Sequence, residues 1–218
     1  MPGRARAPVR RGDSRERSEE RRMTEARIPP IPTADWSDEM WEALSVIGAR
    51  RPEPGAAPGP SSNILGIYAN HPPLVTGWMP FSAHLKHSAL SDRVREMAIL
   101  RTTWLGGGEY EWAQHCRIAL GAGLSQAEID ALSDLGPATW SEGDAVIVRA
   151  IDEICRTRNV SDDTWARLAE QFDRPQLIDF VFLVSTYDMH CVAFNTLGLQ
   201  LDDGLAGFPS AHPRGGAA

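Results

Sequence analysis

Cysteine is scarce and scattered in this chain. Cys116, Cys155 and Cys191 are the only three, far apart and with no C-x-x-C pair among them. An odd, dispersed set makes neither a disulfide framework nor a paired-thiol redox motif, and with no secretory segment upstream the expected compartment is a reducing cytoplasm. Long apolar runs are missing too. None approaches the roughly 20 residues of a bilayer-spanning helix, so no membrane partner is expected. Net positive charge is lacking: the 218 residues carry −7, with a mean hydropathy of −0.29. That argues against a nucleic-acid partner, whose phosphates are bound by clustered Lys and Arg. Phosphate-cradling loops are absent as well, since Gly106-Gly107-Gly108 is followed by Glu109, whose charge repels a phosphate. Period-two runs of β-branched residues are few, which disfavours sheets.

What is present is helical spacing over one domain. Residues 1–27 hold nine arginines against five acids and almost no large apolar side chains. Such a segment buries too little surface to offset its ordering entropy and is expected to be disordered, with Met23 as a plausible natural start. From Trp36 onward apolar residues recur at threes and fours, the mark of amphipathic helices. The expected helices are 36–47, 63–70, a third opening at Pro72-Pro73 and reaching Leu85, then 92–105, 109–120, 127–133, 144–156, 162–172 and 175–197. Pro and Gly between 51 and 60 read as a loop, the triple glycine as a helix stop, and 204–218 as a frayed tail. The domain therefore runs from 28 to 203.

The chemistry-bearing side chains concentrate in Arg93–Ala122, RVREMAILRTTWLGGGEYEWAQHCRIALGA. At 100° per residue Glu111 and His115 share one helix face, continued by Ile118 and Ala122. A carboxylate and an imidazole on an apolar wall suit general acid/base work, though the same spacing on an exposed helix is merely a pair worth about 0.2–0.5 kcal/mol. Glu96 lines up with Leu100, Thr103 and Gly107, a face that reads as buried. A carboxylate there requires a partner, His115 or Arg93, and a structural ion pair between packed helices would serve equally. Trp112, Tyr110, Trp104, Trp78 and Phe81 are candidate pocket walls, or plain core. Arg101 and His84, by default surface residues, are candidates for holding a substrate carboxylate. No metal is expected: His84 and His87 lack a placed carboxylate, and the neighbours His190 and Cys191 point 100° apart.

These residues resemble the carboxymuconolactone decarboxylase and alkylhydroperoxidase D-like family. In its peroxidase branch a Glu is followed twelve residues later by a C-x-x-C and then by a His four residues after the second Cys; Glu96, Gly108, Glu111 and His115 fall at those spacings, so both redox cysteines are replaced. The decarboxylase branch resembles E-x-x-x-H, here Glu111-Trp-Ala-Gln-His115. Asn70-His-Pro-Pro-Leu before the motif, Ser125-Gln-Ala-Glu-Ile after it and the closing Asn195-Thr-Leu-Gly-Leu are similar to the family's flanks. The resemblance implies an all-α, alkylhydroperoxidase D-like helical bundle, assembling with itself as trimers or hexamers. It further implies proton transfer by Glu111, His115 and Glu96 without a cofactor, on a small-molecule substrate. A lyase on an organic acid, lactone or carbonyl compound is the leading expectation; an antioxidant using Cys116 alone and a non-catalytic ligand-binding protein are the alternatives. Cys116 has no sequence neighbour to resolve it, as a two-thiol peroxidase requires.

Overall fold

Single side-chain oxygens start most of the helices. In the computed structural model, which describes residues 26–53, 62–134, 140–209 and 212, Ser37 opens α1 (Asp38–Ser45), and Ser91 opens α4 (Asp92–Gly106) by accepting from the Val94 N–H. Ser125 opens α6 (Gln126–Leu132) in a capping box with Glu128, and Ser141 and Ser161 open α7 (Glu142–Thr157) and α8 (Asp162–Ala169). Asp173, boxed with Gln176, opens the long α9 (Arg174–Leu197). Each oxygen satisfies a backbone donor that the first helical turn leaves without a partner. Between them lie α2 (Asn63–Tyr68), α3 (Pro72–Lys86), begun by two prolines whose missing N–H groups cost nothing there, and α5 (Glu109–Gly121). A short 3₁₀ turn, Thr33–Asp35, precedes α1. No strand occurs among the described residues.

The core forms around α4, whose residues from Glu96 to Trp104 are all buried. It packs on α5, α9 and α7, joining Met97, Leu100, Leu132, Ile151, Phe180 and Leu183 in one apolar cluster. Burying each such side chain is worth about 1.5–3 kcal/mol. A smaller cluster of Trp36, Met40, Leu44, Val75 and Met79 locks α1 onto α3. Gly107, in the left-handed region at φ 65°, ends α4 and lets α5 start almost at once. That tight turn folds α5 back along α4.

Several expectations need correction. The first helix begins at Asp38 and not Trp36, because Ser37 is the cap; α7 begins two residues early for the same reason at Ser141. The second helix and α8 stop short, at Tyr68 and Ala169. The tail does not fray where it is described. Phe208 packs edge-on against Trp104 and, at 3.9 Å, stacks on His212, whose Nε2 meets the Trp104 carbonyl. Arg27 lies outside the domain expected to begin at residue 28, yet its N–H bonds the Leu197 carbonyl at 2.9 Å; residues 1–25, and with them the expected disorder and the Met23 start, fall outside the described residues. Finally, α9 is long and apolar enough to cross a membrane by length and composition, contrary to the expectation that no such run occurs. Half of its apolar window is buried inside the fold, as befits a central core helix.

Candidate functional site

Glu96, in the second turn of α4, is 1% exposed, so its carboxylate has to find partners inside the protein. His115 on α5 is the first, with Nδ1 2.6 Å from Glu96 Oε2, and Arg95 Nε donates to Oε1 at 3.2 Å. An ionised carboxylate only accepts, so the ring proton belongs on Nδ1 and Nε2 keeps its lone pair. Tyr187 on α9 places its hydroxyl 3.1 Å from that nitrogen, its ring edge-on to the imidazole. Burial, then the carboxylates of Glu111 and Glu96, push the Tyr187 phenol well above its ordinary value. It stays protonated and donates to His115.

Glu111 does not face His115, although they are one turn apart on α5. Its Oε1 lies 3.1 Å from Nδ1 of His190 on α9. The two are misaligned for a hydrogen bond: Glu111 Oε1 and both His190 ring nitrogens are buried without a bonding partner. Trp78, Phe194 and Tyr187 surround the His190 ring at centroid distances of 5.0, 5.1 and 5.4 Å. Two hollows result. One, of about 370 Å³, is lined by Glu96, His115, Tyr187, Trp78, Arg95 and Lys86; the other, of about 510 Å³, by Glu111, Tyr110, Phe194, Leu201 and Phe208. His190 lines both.

The structure thus brings Glu96, His115 and Trp78 together and puts Glu111 and Tyr110 across His190 from them. The shared hollow expected of Glu111 and His115 is corrected to two adjoining ones, because side chains four apart on α5 lean toward different partners on α4 and α9. Tyr110 is tied down by donating to Asp202 Oδ2 at 2.7 Å. Trp112 packs on Trp104 and Phe208, away from both hollows. Arg101, expected at the surface, is buried and forks onto Asp152 at 2.7 and 3.1 Å, with Asp134 and the Leu132 carbonyl beyond. His84 meets Asp179 at 2.9 Å, lining neither hollow. Of the proposed partners for Glu96, Arg93 instead joins Glu128 and Asp144. No cluster of His, Cys, Asp and Glu suited to a metal occurs among the described residues. Tyr187 and His190 were not singled out as site residues from the sequence. Their signal was there: an aromatic hydroxyl and an imidazole three apart, and so on one face, of a helix with long apolar stretches.

None of the thiols is poised to ionise. Burial pushes Cys116 up to about 12, aided by Asp130, and Cys155 up to about 11. Burial, reinforced by Glu111, likewise pushes Cys191 up to about 12. Gly108, where the resembled motif has its first cysteine, has no room for a side chain: a Cβ there would meet Cys191 Sγ at 2.6 Å.

Residues 72–150 match the carboxymuconolactone decarboxylase family. Two crystal structures share the fold. One is an uncharacterized peroxidase-related protein with an alkylhydroperoxidase AhpD core from Ralstonia eutropha JMP134, with a TM-score of 0.64 and 17% identity over 82% of this chain and 93% of that one. The other is a protein of unknown function from Agrobacterium tumefaciens, named as a candidate antioxidant defence protein AhpD, with a TM-score of 0.57 and 15% identity over 62% of this chain and 94% of that one. No curated protein matches in sequence.

Proposed function

We propose, from the match of residues 72–150 to the carboxymuconolactone decarboxylase family, that the chain is a cofactor-independent acid/base enzyme acting on a small organic acid, lactone or carbonyl compound. The observation that carries this reading is the Glu96–His115–Tyr187 chain, whose three members all line a hollow of about 370 Å³. Glu96 fixes the tautomer and stabilises the imidazolium once it forms, the role a buried carboxylate plays behind any catalytic histidine. Nε2 removes a proton from a carbon beside a carbonyl, or returns one to it. In a decarboxylation Nε2 first takes the acid proton of the substrate's carboxyl group; the bond to that carboxylate then breaks, its electron pair passes to the neighbouring carbonyl oxygen, and CO2 leaves. The imidazolium so formed returns its proton to the carbon. The Tyr187 hydroxyl, released from Nε2, donates to the oxyanion. Arg95 and Lys86 line the same hollow and favour an anionic substrate.

Thiol peroxidase chemistry is less well served. It requires an attacking thiolate and a resolving partner. Burial holds all three thiols in their protonated form, and Glu111 stands at the second cysteine position of the resembled motif.

The test follows hydrogen–deuterium exchange and CO2 release over a panel of β-keto acids and unsaturated γ-lactones. His115→Ala and Glu96→Gln are expected to lower kcat/KM about 100-fold or more on whichever compound turns over, with Tyr187→Phe costing about tenfold. An unchanged kcat/KM in His115→Ala would remove the proposal. Peroxide consumption dependent on Cys116 would replace it.

A further inference from the structure

The second hollow, across His190 from the first, has no role in the reaction just described. It is the larger of the two, about 510 Å³. At its inner end lie the buried atoms that nothing in the protein satisfies: Glu111 Oε1 and the nitrogens of His190, in residues 6% and 8% exposed. Native proteins rarely bury such groups unpaired, because each costs stability without return, and where they persist they point to a ligand or to chemistry. Two other polar groups around this hollow are already engaged. Glu109 Oε1 accepts the Phe208 N–H at 2.9 Å, and the Tyr110 hydroxyl donates to Asp202.

We propose that this hollow is a binding site for a small hydroxylated ring compound, a phenol or cyclic enol, held by Glu111 and His190. Glu111 Oε1 can accept and a protonated His190 nitrogen can donate, so a ligand hydroxyl seated beside the pair finds an acceptor for its O–H or a donor for its oxygen. A ligand carboxylate is disfavoured beside Glu111, whose charge would repel it. A neutral hydroxyl is not. Phe194, Phe208, Leu199 and Leu201 add aromatic and aliphatic wall beside Gly107, Gly108, Asn195 and Gln200, a patch that suits one face of a flat ring. Arg27, its backbone pinned to Leu197, also lines the hollow. Since His190 lines both hollows, a ligand bound here touches the ring that also walls the His115 chamber. The proposal does not depend on the reaction assigned to His115.

Phenol and benzene, titrated into the full chain and followed by the side-chain resonances of ¹⁵N-labelled histidine, provide the test. Phenol is expected to bind at least tenfold more tightly than benzene, because only phenol pairs the buried groups, and to shift the His190 ring signals. Leu201→Trp, which fills this hollow alone, abolishes the phenol effect, and Glu111→Gln weakens it tenfold or more. Equal affinity for phenol and benzene, or phenol binding that survives Leu201→Trp, overturns the proposal, as does a His190 signal unmoved by phenol, which would mean the hollow holds water only. If Glu111→Gln does not fold, the phenol-to-benzene ratio and Leu201→Trp decide the matter in its place. Failure of the decarboxylation tests leaves these outcomes untouched, since they read binding at a different hollow.

Discussion

Gly108 marks the point where this chain departs from the two-thiol pattern, and restoring a cysteine there tests whether Cys191 has taken its space. A Cβ built on Gly108 lies 2.6 Å from Cys191 Sγ and 3.6 Å from Cys191 Cβ. The glycine backbone is ordinary, at φ −82° and ψ 77°, so a side chain at 108 is penalised by contact and not by strain. Gly108→Ala is then an overpacking substitution costing about 1–3 kcal/mol, and at about 2–4 °C per kcal/mol for a chain of this size Tm falls by roughly 2–12 °C. Cys191→Ala on top of it should recover most of that loss, a coupling that two independent sites would not show. Gly108→Cys behaves like the alanine variant when reduced. When oxidised, the 3.6 Å Cβ separation falls within the range a disulfide requires. The bond would close a loop of roughly 80 residues, worth up to about 4–5 kcal/mol through the unfolded chain. Thermal melts with and without dithiothreitol, beside mass spectrometry of the linked peptides, read both effects, and the oxidised form should melt about 10 °C above the reduced one. A Gly108→Ala protein as stable as the parent, or a Gly108→Cys protein that keeps its thiols under oxidant, would refute the packing argument.

Other outcomes follow from the same coordinates. Arg101→Met strips a buried guanidinium from Asp152, Asp134 and the Leu132 carbonyl and leaves Asp152 short of its main partner; calorimetry should show a loss of about 3–5 kcal/mol, and a loss under 1 kcal/mol would mean the fork is ornamental. Glu153 is raised by burial, but the Ser161 N–H, Thr164, Arg149 and the Ser161 hydroxyl outweigh that and bring it down to about 2. A carboxylate held below its usual 4.5 contributes stability that is present above that pH and fades as pH falls toward 2. Glu153→Gln should therefore cost about 1–2 kcal/mol near neutrality, with the gap to the parent closing between pH 4.5 and 2 in urea melts; a gap constant with pH would contradict this. On α9, Ile178, Phe182, Met189 and Val192 are exposed and fall within one narrow stripe of the helix, the surface on which the expected trimer or hexamer would close. Light scattering of the parent should show an oligomer and Phe182→Glu a smaller species; a stable parent monomer would dispose of it.

The helices were legible because their signals are local. Ser91, Ser125 and Asp173 announce helix starts within four residues of chain, and Gly107 announces a stop. The tail was misread for the complementary reason. Nothing near Phe208 tells that it will lie against Trp104 and Trp112, which are distant in sequence and meet it only once α4 and α5 are packed. The same holds for Arg101, read as a surface cation because its charge is local and its partners, Asp134 and Asp152, are not.

The site divides along this line. That Glu96 is buried and paired followed from the α4 pattern, since an apolar face that carries one carboxylate leaves it no solvent. Which imidazole each carboxylate meets did not follow. Spacing on α5 made Glu111 and His115 neighbours on a cylinder, but side chains on one helix compete for partners on the helices packed against it, and in this fold α4 supplies Glu96 to one while α9 supplies His190 to the other. Two polar residues on one face therefore gave two half-sites and not one. The clue that would have separated them is on α9, where Tyr187 and His190 stand three apart in a helix otherwise apolar enough to cross a membrane. Polar groups are costly on such a surface unless they are satisfied across an interface. Tyr187 is satisfied, by His115. His190 is not satisfied by any protein group, and that difference makes the first hollow the place for proton transfer and the second the place to look for a ligand.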